Sequence, residues 1–125
     1  MTKASKSGTP SALCLTEESL EPSGVVLTVG GELDIATAPE LRTRLNAAVD
    51  AGLSRLVIDL RPLSFLDSVA MATLLQARRR LGESGRMAVV VAADSYVRLI
   101  FAVAGMPRCI DVFDTREQAV THVAA

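Results

Sequence analysis

The sequence predicts a single α/β domain, with a mixed, mostly parallel sheet of about four or five strands packed with about four helices. Short Val-, Ile- and Leu-rich runs alternate along the chain with segments whose apolar residues recur every three or four positions. This is the pattern of strands alternating with amphipathic helices. Because 50% of the residues are hydrophobic but only 3% are aromatic, the core must be aliphatic, which suits helices packed on a sheet.

The N-terminal part of the chain changes character after residue 11. Residues 1–11 are rich in Ser, Thr, Lys and Gly without an apolar period, which predicts a flexible tail before a domain of residues 12–125. A short strand is predicted at 13–16 and a longer, β-branched strand at 25–33, where a Gly-Gly pair indicates a bulge. The domain is therefore expected to open with a hairpin-like pair of strands.

Helices and strands then alternate to the end of the chain. The first helix is predicted to begin at Thr37, which has capping-box spacing with Glu40. A strand at 55–60 is followed by a helix at 68–81, and a strand at 86–92 by a helix at 96–104. The last strand, at 110–113, leads into a helix that begins at a second capping-box pattern, 114–117. In the helix at 96–104 the inward residues are expected to be Val97, Ile100, Phe101 and Ala104.

The charge pattern excludes several classes of partner. The chain has 13 basic and 14 acidic residues and a net charge of −1, so it offers no footprint for nucleic acid or an anionic membrane. The one basic run, 78–80, is interpreted as the solvated face of a helix. No apolar run approaches the ~20 residues that span a bilayer, and no hydrophobic signal region begins the sequence, so we expect a cytoplasmic protein.

Catalytic and metal-binding patterns are sparse. A single histidine, His122, gives little basis for a Ser-His or metal-His site, and no glycine-rich loop leads from a strand into a helix. Cys14 and Cys109 lack metal-ligand spacing and are expected to be half-buried apolar residues. The sequence thus predicts a binding protein rather than an enzyme, without a cofactor or metal.

Two carboxylates are candidates for a shared site. Asp34 follows the second predicted strand and Asp67 comes shortly after the third. If those strands are parallel neighbours, their carboxyl ends bring both side chains to one edge of the sheet, where ligand sites of α/β proteins lie. The alternative is that each Asp only stabilises a turn or a helix start.

Ser68 lies where a buried strand gives way to a helix, and it allows two interpretations. The first interpretation is the N-cap of that helix, a role that contributes about 1 kcal/mol. The same position would expose the hydroxyl, and a phosphate there would meet free N–H groups and a favourable helix dipole. The residues alone leave both interpretations open.

Several segments resemble the STAS domains of anti-sigma factor antagonists. They are Gly-Glu-Leu-Asp-Ile-Ala-Thr-Ala at 31–38, the strand end at 57–60, Phe-Leu-Asp-Ser at 65–68, Val-Arg-Leu-Ile at 97–100 and Val-Phe-Asp at 112–114. The resemblance extends over about residues 13–125. It implies a compact domain whose sheet is backed by helices.

The resemblance also implies a phosphorylation switch. The unphosphorylated protein would bind a cytoplasmic anti-sigma factor that is an ATP-dependent serine kinase, phosphorylation of Ser68 would release that kinase, and a serine phosphatase would reset the switch. Asp34 and Asp67 match the acidic positions beside the serine. The residues predicted to contact the partner are Asp34, Thr37, Asp67, Ser68, Val69 and Met71.

One segment departs from the family pattern. After the serine the family usually has Ser or Thr and then Gly-Leu-Gly, whereas this chain has Val-Ala-Met-Ala at 69–72. The added methyl groups are expected to crowd the surface that a kinase approaches, and Val69 and Met71 would be either apolar contacts of the partner or core residues. This departure keeps open a second function, a constitutive STAS-type subunit of a transporter-associated or scaffold complex. A third alternative is a small-molecule or nucleotide binder, or an enzyme, that uses Asp34 and Asp67.

Overall fold

A computed structural model describes residues 13–124, and the predicted tail at 1–11 lies outside the described residues. The elements in chain order are β1 (Leu13–Leu20), β2 (Gly24–Leu33), α1 (Ala38–Asp50), β3 (Arg55–Asp59), β4 (Leu63–Leu66), α2 (Ser68–Leu81), β5 (Arg86–Val90), α3 (Tyr96–Val103), a 3-10 turn (Met106–Arg108), β6 (Asp111–Phe113) and α4 (Arg116–Ala124). The predicted α/β fold class and the number of helices are confirmed.

The sheet is mixed and mostly parallel, as predicted. Its main order is β1-β2-β3-β5-β6, in which β1 pairs antiparallel with β2 and the other neighbours are parallel. Past the end of β3, the last residues of β2 pair in parallel with β4. The register of that pairing shifts between Gly31 and Glu32, which confirms the bulge predicted at the glycines.

Alternating side chains of the central strands supply two apolar layers, which explains why these strands are apolar throughout. One face of the sheet packs against α1, α2 and α3 through Leu41, Leu45, Leu74, Val97 and Phe101. The opposite face packs against α4, where Ala119 and Val123 meet Val26, Val57, Ala88 and Val90. None of the helices in residues 13–124 has the length and apolarity needed to cross a membrane.

The prediction of four or five strands missed β4. The sheet has six strands, because Leu63–Leu66 forms a short strand where the sequence indicated only the approach to a helix. Four residues are too few to show an alternating pattern, and only Leu63 and Leu66 of this strand are buried. Pairing with the end of β2 stabilises β4, and this tertiary interaction leaves no local signal.

Both predicted capping boxes differ in detail from the structure. Thr37 precedes α1, but its side chain makes no cap hydrogen bond; its hydroxyl is within 2.9 Å of the Glu32 carbonyl oxygen, so it bonds to the preceding strand instead. At α4 the box uses Thr115 and Gln118 rather than the residues at 114 and 117. The Gln118 amide N–H donates to Thr115 Oγ1 at 3.2 Å, and Gln118 Oε1 accepts from the Thr115 N–H at 3.3 Å.

Three burial predictions are wrong. Cys14 is exposed because it alternates with Leu13 and Leu15 on β1 and points to the opposite side of this edge strand. Cys109 is also exposed, in the connection after the 3-10 turn. Ala104 is exposed because α3 ends one residue earlier, at Val103, before Gly105 adopts a positive φ of 75°.

The start of α2 is capped by Asp67 rather than by Ser68. Asp67 is extended, with φ −117° and ψ −178°, and its carboxylate accepts a hydrogen bond from the Ala70 N–H at 3.0 Å. Ser68 is already the first helical residue. Asp and Ser are comparable N-caps, so only the backbone conformation decides between them.

A buried carboxylate joins α4 to the end of β3. Asp59 is 1% exposed, and its carboxylate accepts from Arg61 at 2.7 Å and from Arg116 at 3.2 Å. Burial raises the pKa of Asp59, but the hydrogen bonds and charge of Arg61, with a further hydrogen bond from Arg116, outweigh burial and hold that pKa below its ordinary value. The ionised form of Asp59 therefore stabilises the fold.

Replacing Asp59 tests this ion-pair cluster. We expect Asp59→Asn to lower the free energy of unfolding at pH 7 by about 1–3 kcal/mol, because the variant keeps the buried polar atoms but loses the charge. Since the folded-state pKa lies below the unfolded value, this stabilisation is present above about pH 4 and is lost as the pH falls below it. Denaturant titrations of both proteins at several pH values measure the difference.

The exposed pair between Arg80 and Asp50 provides the control for that measurement, since its two side chains are 43% and 68% exposed. Asp50→Asn is expected to leave the free energy of unfolding nearly unchanged at every pH. An equal loss in both variants, or a loss at Asp59 that does not depend on pH, would contradict the account.

A second pair of variants tests the cap of α2. Asp67→Ala is expected to lower the free energy of unfolding by about 1 kcal/mol, because it removes the carboxylate that accepts the Ala70 N–H. Ser68→Ala is expected to change stability by less than about 0.5 kcal/mol. Thermal or denaturant unfolding measures both, and a larger loss in the Ser68 variant would assign the cap to Ser68.

Candidate functional site

The candidate site lies at the edge of the sheet where β2 and β4 end. These two strands run parallel, and Asp34 and Asp67 are the residues that follow them. The expectation that both carboxylates come to one edge is confirmed, although the neighbour of β2 that carries Asp67 is β4 and not β3. We call this edge the rim and define it by Asp34, Ile35, Phe65, Ser68 and Val69.

Asp67 connects the two segments that form the rim. One carboxylate oxygen accepts from the Ala70 N–H in α2, and the other accepts from the Ile35 N–H in the β2–α1 loop at 3.1 Å. Its own amide N–H donates to the carbonyl oxygen of Leu33 at 3.2 Å. The side chain of Asp67 therefore fixes the position of the loop relative to the helix start.

Asp34 holds the loop between β2 and α1 in shape. Its Oδ1 accepts from the N–H groups of Ala36 at 2.9 Å and Thr37 at 3.1 Å, which forms a local turn. Its backbone N–H donates to Thr37 Oγ1 at 2.9 Å. Thr37 is only 8% exposed, and its hydrogen bonds within the loop support the position of Asp34.

Ser68 presents an unengaged hydroxyl at the first position of α2. The residue is exposed, and within residues 13–124 its side chain has no hydrogen-bond partner. The first N–H groups of α2 to be engaged are those of Ala70 and Met71, which bond to the side chain and carbonyl of Asp67. The N–H groups of Ser68 and Val69 have no partner in the described part of the chain and are available to an anion.

The residues after Ser68 divide between surface and core. Val69 is 36% exposed, whereas Met71 is 9% exposed and belongs to the apolar core, so of the two alternatives left open for this pair the structure places Met71 in the core. Ala70 is fully buried and Ala72 is exposed. Of the two alanines that replace family glycines, only Ala72 therefore adds a methyl group to the surface.

The sequence reasoning missed an exposed apolar surface that begins on the rim and continues onto α3. Ile35 is 70% exposed and Phe65 is 38% exposed, and the ring of Phe65 stacks on Tyr96 of α3 with 6.5 Å between the ring centroids. Further along α3, Leu99 and Val103 are 59% and 78% exposed. The signal was present, since these apolar residues of α3 fall outside the stripe that was assigned to the core.

Other groups with possible chemistry lie away from the rim. His122 contacts Asp111 at 2.8 Å, and it lines a polar cavity of about 270 Å³ together with Arg78, Arg86 and Met87 near the start of β5. No rim residue lines that cavity. Among residues 13–124 there is no cluster of His, Cys, Asp and Glu side chains that could hold a metal ion. The rim itself offers an exposed hydroxyl, unengaged N–H groups and apolar contact area.

Comparison with curated proteins links this arrangement to a known family. The STAS domain profile matches residues 16–119 of the chain. The anti-sigma-F factor antagonist RsfB of Mycobacterium tuberculosis (strain H37Rv) is 34% identical over 98 residues, which cover 78% of this chain and 80% of RsfB.

Two solved structures share the fold. The crystal structure of an anti-sigma factor antagonist from Mycobacterium paratuberculosis has a TM-score of 0.85 and 28% identity, over 94% of this chain and 98% of that chain. The Bacillus cell fate determinant SpoIIAA, solved in its phosphorylated form, has a TM-score of 0.64 and 25% identity, over 88% of this chain and 99% of its own. The profile match covers most of the sequence, and the chain therefore belongs to the STAS domain family.

Proposed function

We propose that this chain is an anti-sigma factor antagonist controlled by phosphorylation of Ser68. The unphosphorylated form binds a cytoplasmic anti-sigma factor that is a serine kinase, and binding frees a sigma factor for transcription. Phosphorylation of Ser68 by that kinase releases the complex, and a serine phosphatase restores the binding form. The chain acts by binding and carries out no reaction of its own.

The free hydroxyl of Ser68 is the observation that carries the proposal. The alternative role for this residue was the N-cap of α2, and Asp67 performs that role. Ser68 is thus exposed at a conformationally fixed position without a structural hydrogen bond to lose. Such a hydroxyl can enter the active site of a kinase without disturbing the fold.

The family relatives support the same function. RsfB is named as an anti-sigma-F factor antagonist, and related proteins of Staphylococcus aureus are named as anti-sigma-B factor antagonists. SpoIIAA has been solved in a phosphorylated form, and its fold matches this chain over 88% of the length. Both the partner class and the use of a phosphate are therefore known within this family.

The physical effect of a phosphate differs between the free protein and the complex. In the free protein, the added charge of about −1.5 to −2 stays in water and meets the open N–H groups of Ser68 and Val69. In a complex the same charge loses water next to the carboxylate of Asp67, and an imperfectly paired buried charge costs several kcal/mol. Reversing a 99:1 binding equilibrium requires about 5.5 kcal/mol, which is of the same order.

Charge substitution at Ser68 tests the switch. We expect Ser68→Asp to weaken binding to the anti-sigma factor kinase at least tenfold, about 1.4 kcal/mol, because it places a permanent charge at the contact. Ser68→Ala should bind within about threefold of the unsubstituted protein and should resist phosphorylation by the kinase with ATP. Calorimetric titration against each purified anti-sigma factor kinase of the source organism measures the affinities.

Ser84 provides a matched control, because it is exposed in the connection between α2 and β5, away from the rim. Ser84→Asp adds the same charge and should leave the affinity unchanged. The proposal would be rejected if Ser68→Asp and Ser68→Ala bound equally well, or if Ser84→Asp weakened binding as much as Ser68→Asp.

A further inference from the structure

We propose that the exposed side of α3 is a second part of the docking surface for the anti-sigma factor. This surface, the α3 face, consists of Tyr96, Leu99 and Val103. The inference rests on the proposed function and extends it, because it adds a contact region that lies on a different helix from Ser68. The occupant it names is the anti-sigma factor itself, through an uncharged, apolar part of its surface.

The α3 face is formed by helical spacing. Residues at i, i+3 and i+7 lie on one side of a helix, and here these positions are Tyr96, Leu99 and Val103. Their exposed fractions are 54%, 59% and 78%. The opposite side of α3 already packs into the core through Val97 and Phe101, so packing within this domain does not explain the apolar character of the α3 face.

The α3 face carries no charge. Ala102 is the remaining exposed residue of α3, and the one charged residue of the helix, Arg98, is half-buried. The guanidinium of Arg98 donates to a carboxylate oxygen of Asp114 at 2.8 Å and to the Val91 carbonyl oxygen at 3.0 Å. An uncharged helix face of this kind favours an apolar partner surface over a charged one.

The α3 face is continuous with the rim. The ring of Tyr96 stacks on Phe65, with an angle of 15° between the rings, and Phe65 lies three residues before Ser68. All six large apolar side chains that are exposed in residues 13–124 belong to these two regions: Ile35, Phe65, Val69, Tyr96, Leu99 and Val103. A protein seated on Ser68 and Phe65 therefore has an apolar surface directly beside it.

The rim alone is smaller than the contact area of a stable protein complex. Stable complexes bury about 800 Å² and about 20–30 residues on each partner. The rim supplies only a few side chains, and part of its polar groups are already engaged in internal hydrogen bonds. Apolar contact on α3 provides affinity that does not depend on the protonation or charge of any group, while the phosphate at Ser68 controls whether the complex persists.

The test introduces a lysine at two positions of the α3 face and at a control position. Leu99→Lys and Val103→Lys are each expected to weaken binding to the anti-sigma factor kinase at least tenfold. Ser84→Lys places the same charge in the connection between α2 and β5, away from the rim, and should bind within twofold of the unsubstituted protein. Thermal unfolding of each variant should match the unsubstituted protein, because the replaced side chains are exposed.

Including Ser68→Asp in the same titrations separates this inference from the proposed function. Normal binding by both α3 variants, with binding lost in Ser68→Asp, would overturn the α3 docking surface and leave the switch intact. Weakened binding by the α3 variants, with normal binding by Ser68→Asp, would support the surface and overturn the switch. Binding of no kinase by the unsubstituted protein would overturn both.

A second copy of the chain is the competing occupant, and sedimentation velocity distinguishes it. The unsubstituted protein is expected to have the same oligomeric state as Leu99→Lys. A dimer that Leu99→Lys converts to a monomer, together with unchanged kinase affinity, would assign the α3 face to self-association and overturn the inference.

Discussion

The two hydrogen bonds accepted by the carboxylate of Asp67 determine the geometry of the rim. One oxygen accepts the Ala70 N–H and begins α2, and the other accepts the Ile35 N–H and positions the β2–α1 loop. Because one side chain serves both segments, the exposed residues Ile35, Ser68 and Val69 have fixed positions relative to each other. The cap also leaves the hydroxyl of Ser68 unengaged. Asp67 thus caps α2 and, by doing so, leaves Ser68 free for the proposed modification.

In the proposed regulation, one set of groups provides the affinity for the anti-sigma factor and another controls whether it binds. Apolar area at the rim and on α3 would supply most of the binding free energy, and it is not altered when a phosphate is added. A charge at Ser68 would then act on the same contact through desolvation and through repulsion by Asp67. The exposed apolar residues and the hydroxyl of Ser68 contribute little to the stability of the fold. That stability comes from two aliphatic layers and from the buried cluster around Asp59.

Much of this arrangement follows from sequence patterns, and the exceptions have physical causes. Alternating strands and helices, and the meeting of Asp34 and Asp67 at one edge, follow from periodicity and from the geometry of parallel strands. The strand at Leu63–Leu66 could not be predicted from the sequence, because it is stabilised by pairing with β2 rather than by its own four residues. The choice of Asp67 over Ser68 as cap depends on backbone dihedrals that two good capping residues cannot reveal. The exposure of Leu99 and Val103 could have been predicted, because helical spacing places both residues outside the buried stripe of α3.

The central claim concerns a covalent change on one residue of the protein in its own cells. Intact-mass measurement followed by peptide mapping of the protein isolated from those cells tests it most directly. The account predicts two populations that differ by a single phosphate, with the modified residue mapped to Ser68. The account would be contradicted if no growth condition gave a phosphorylated form, or if the phosphate were on another residue.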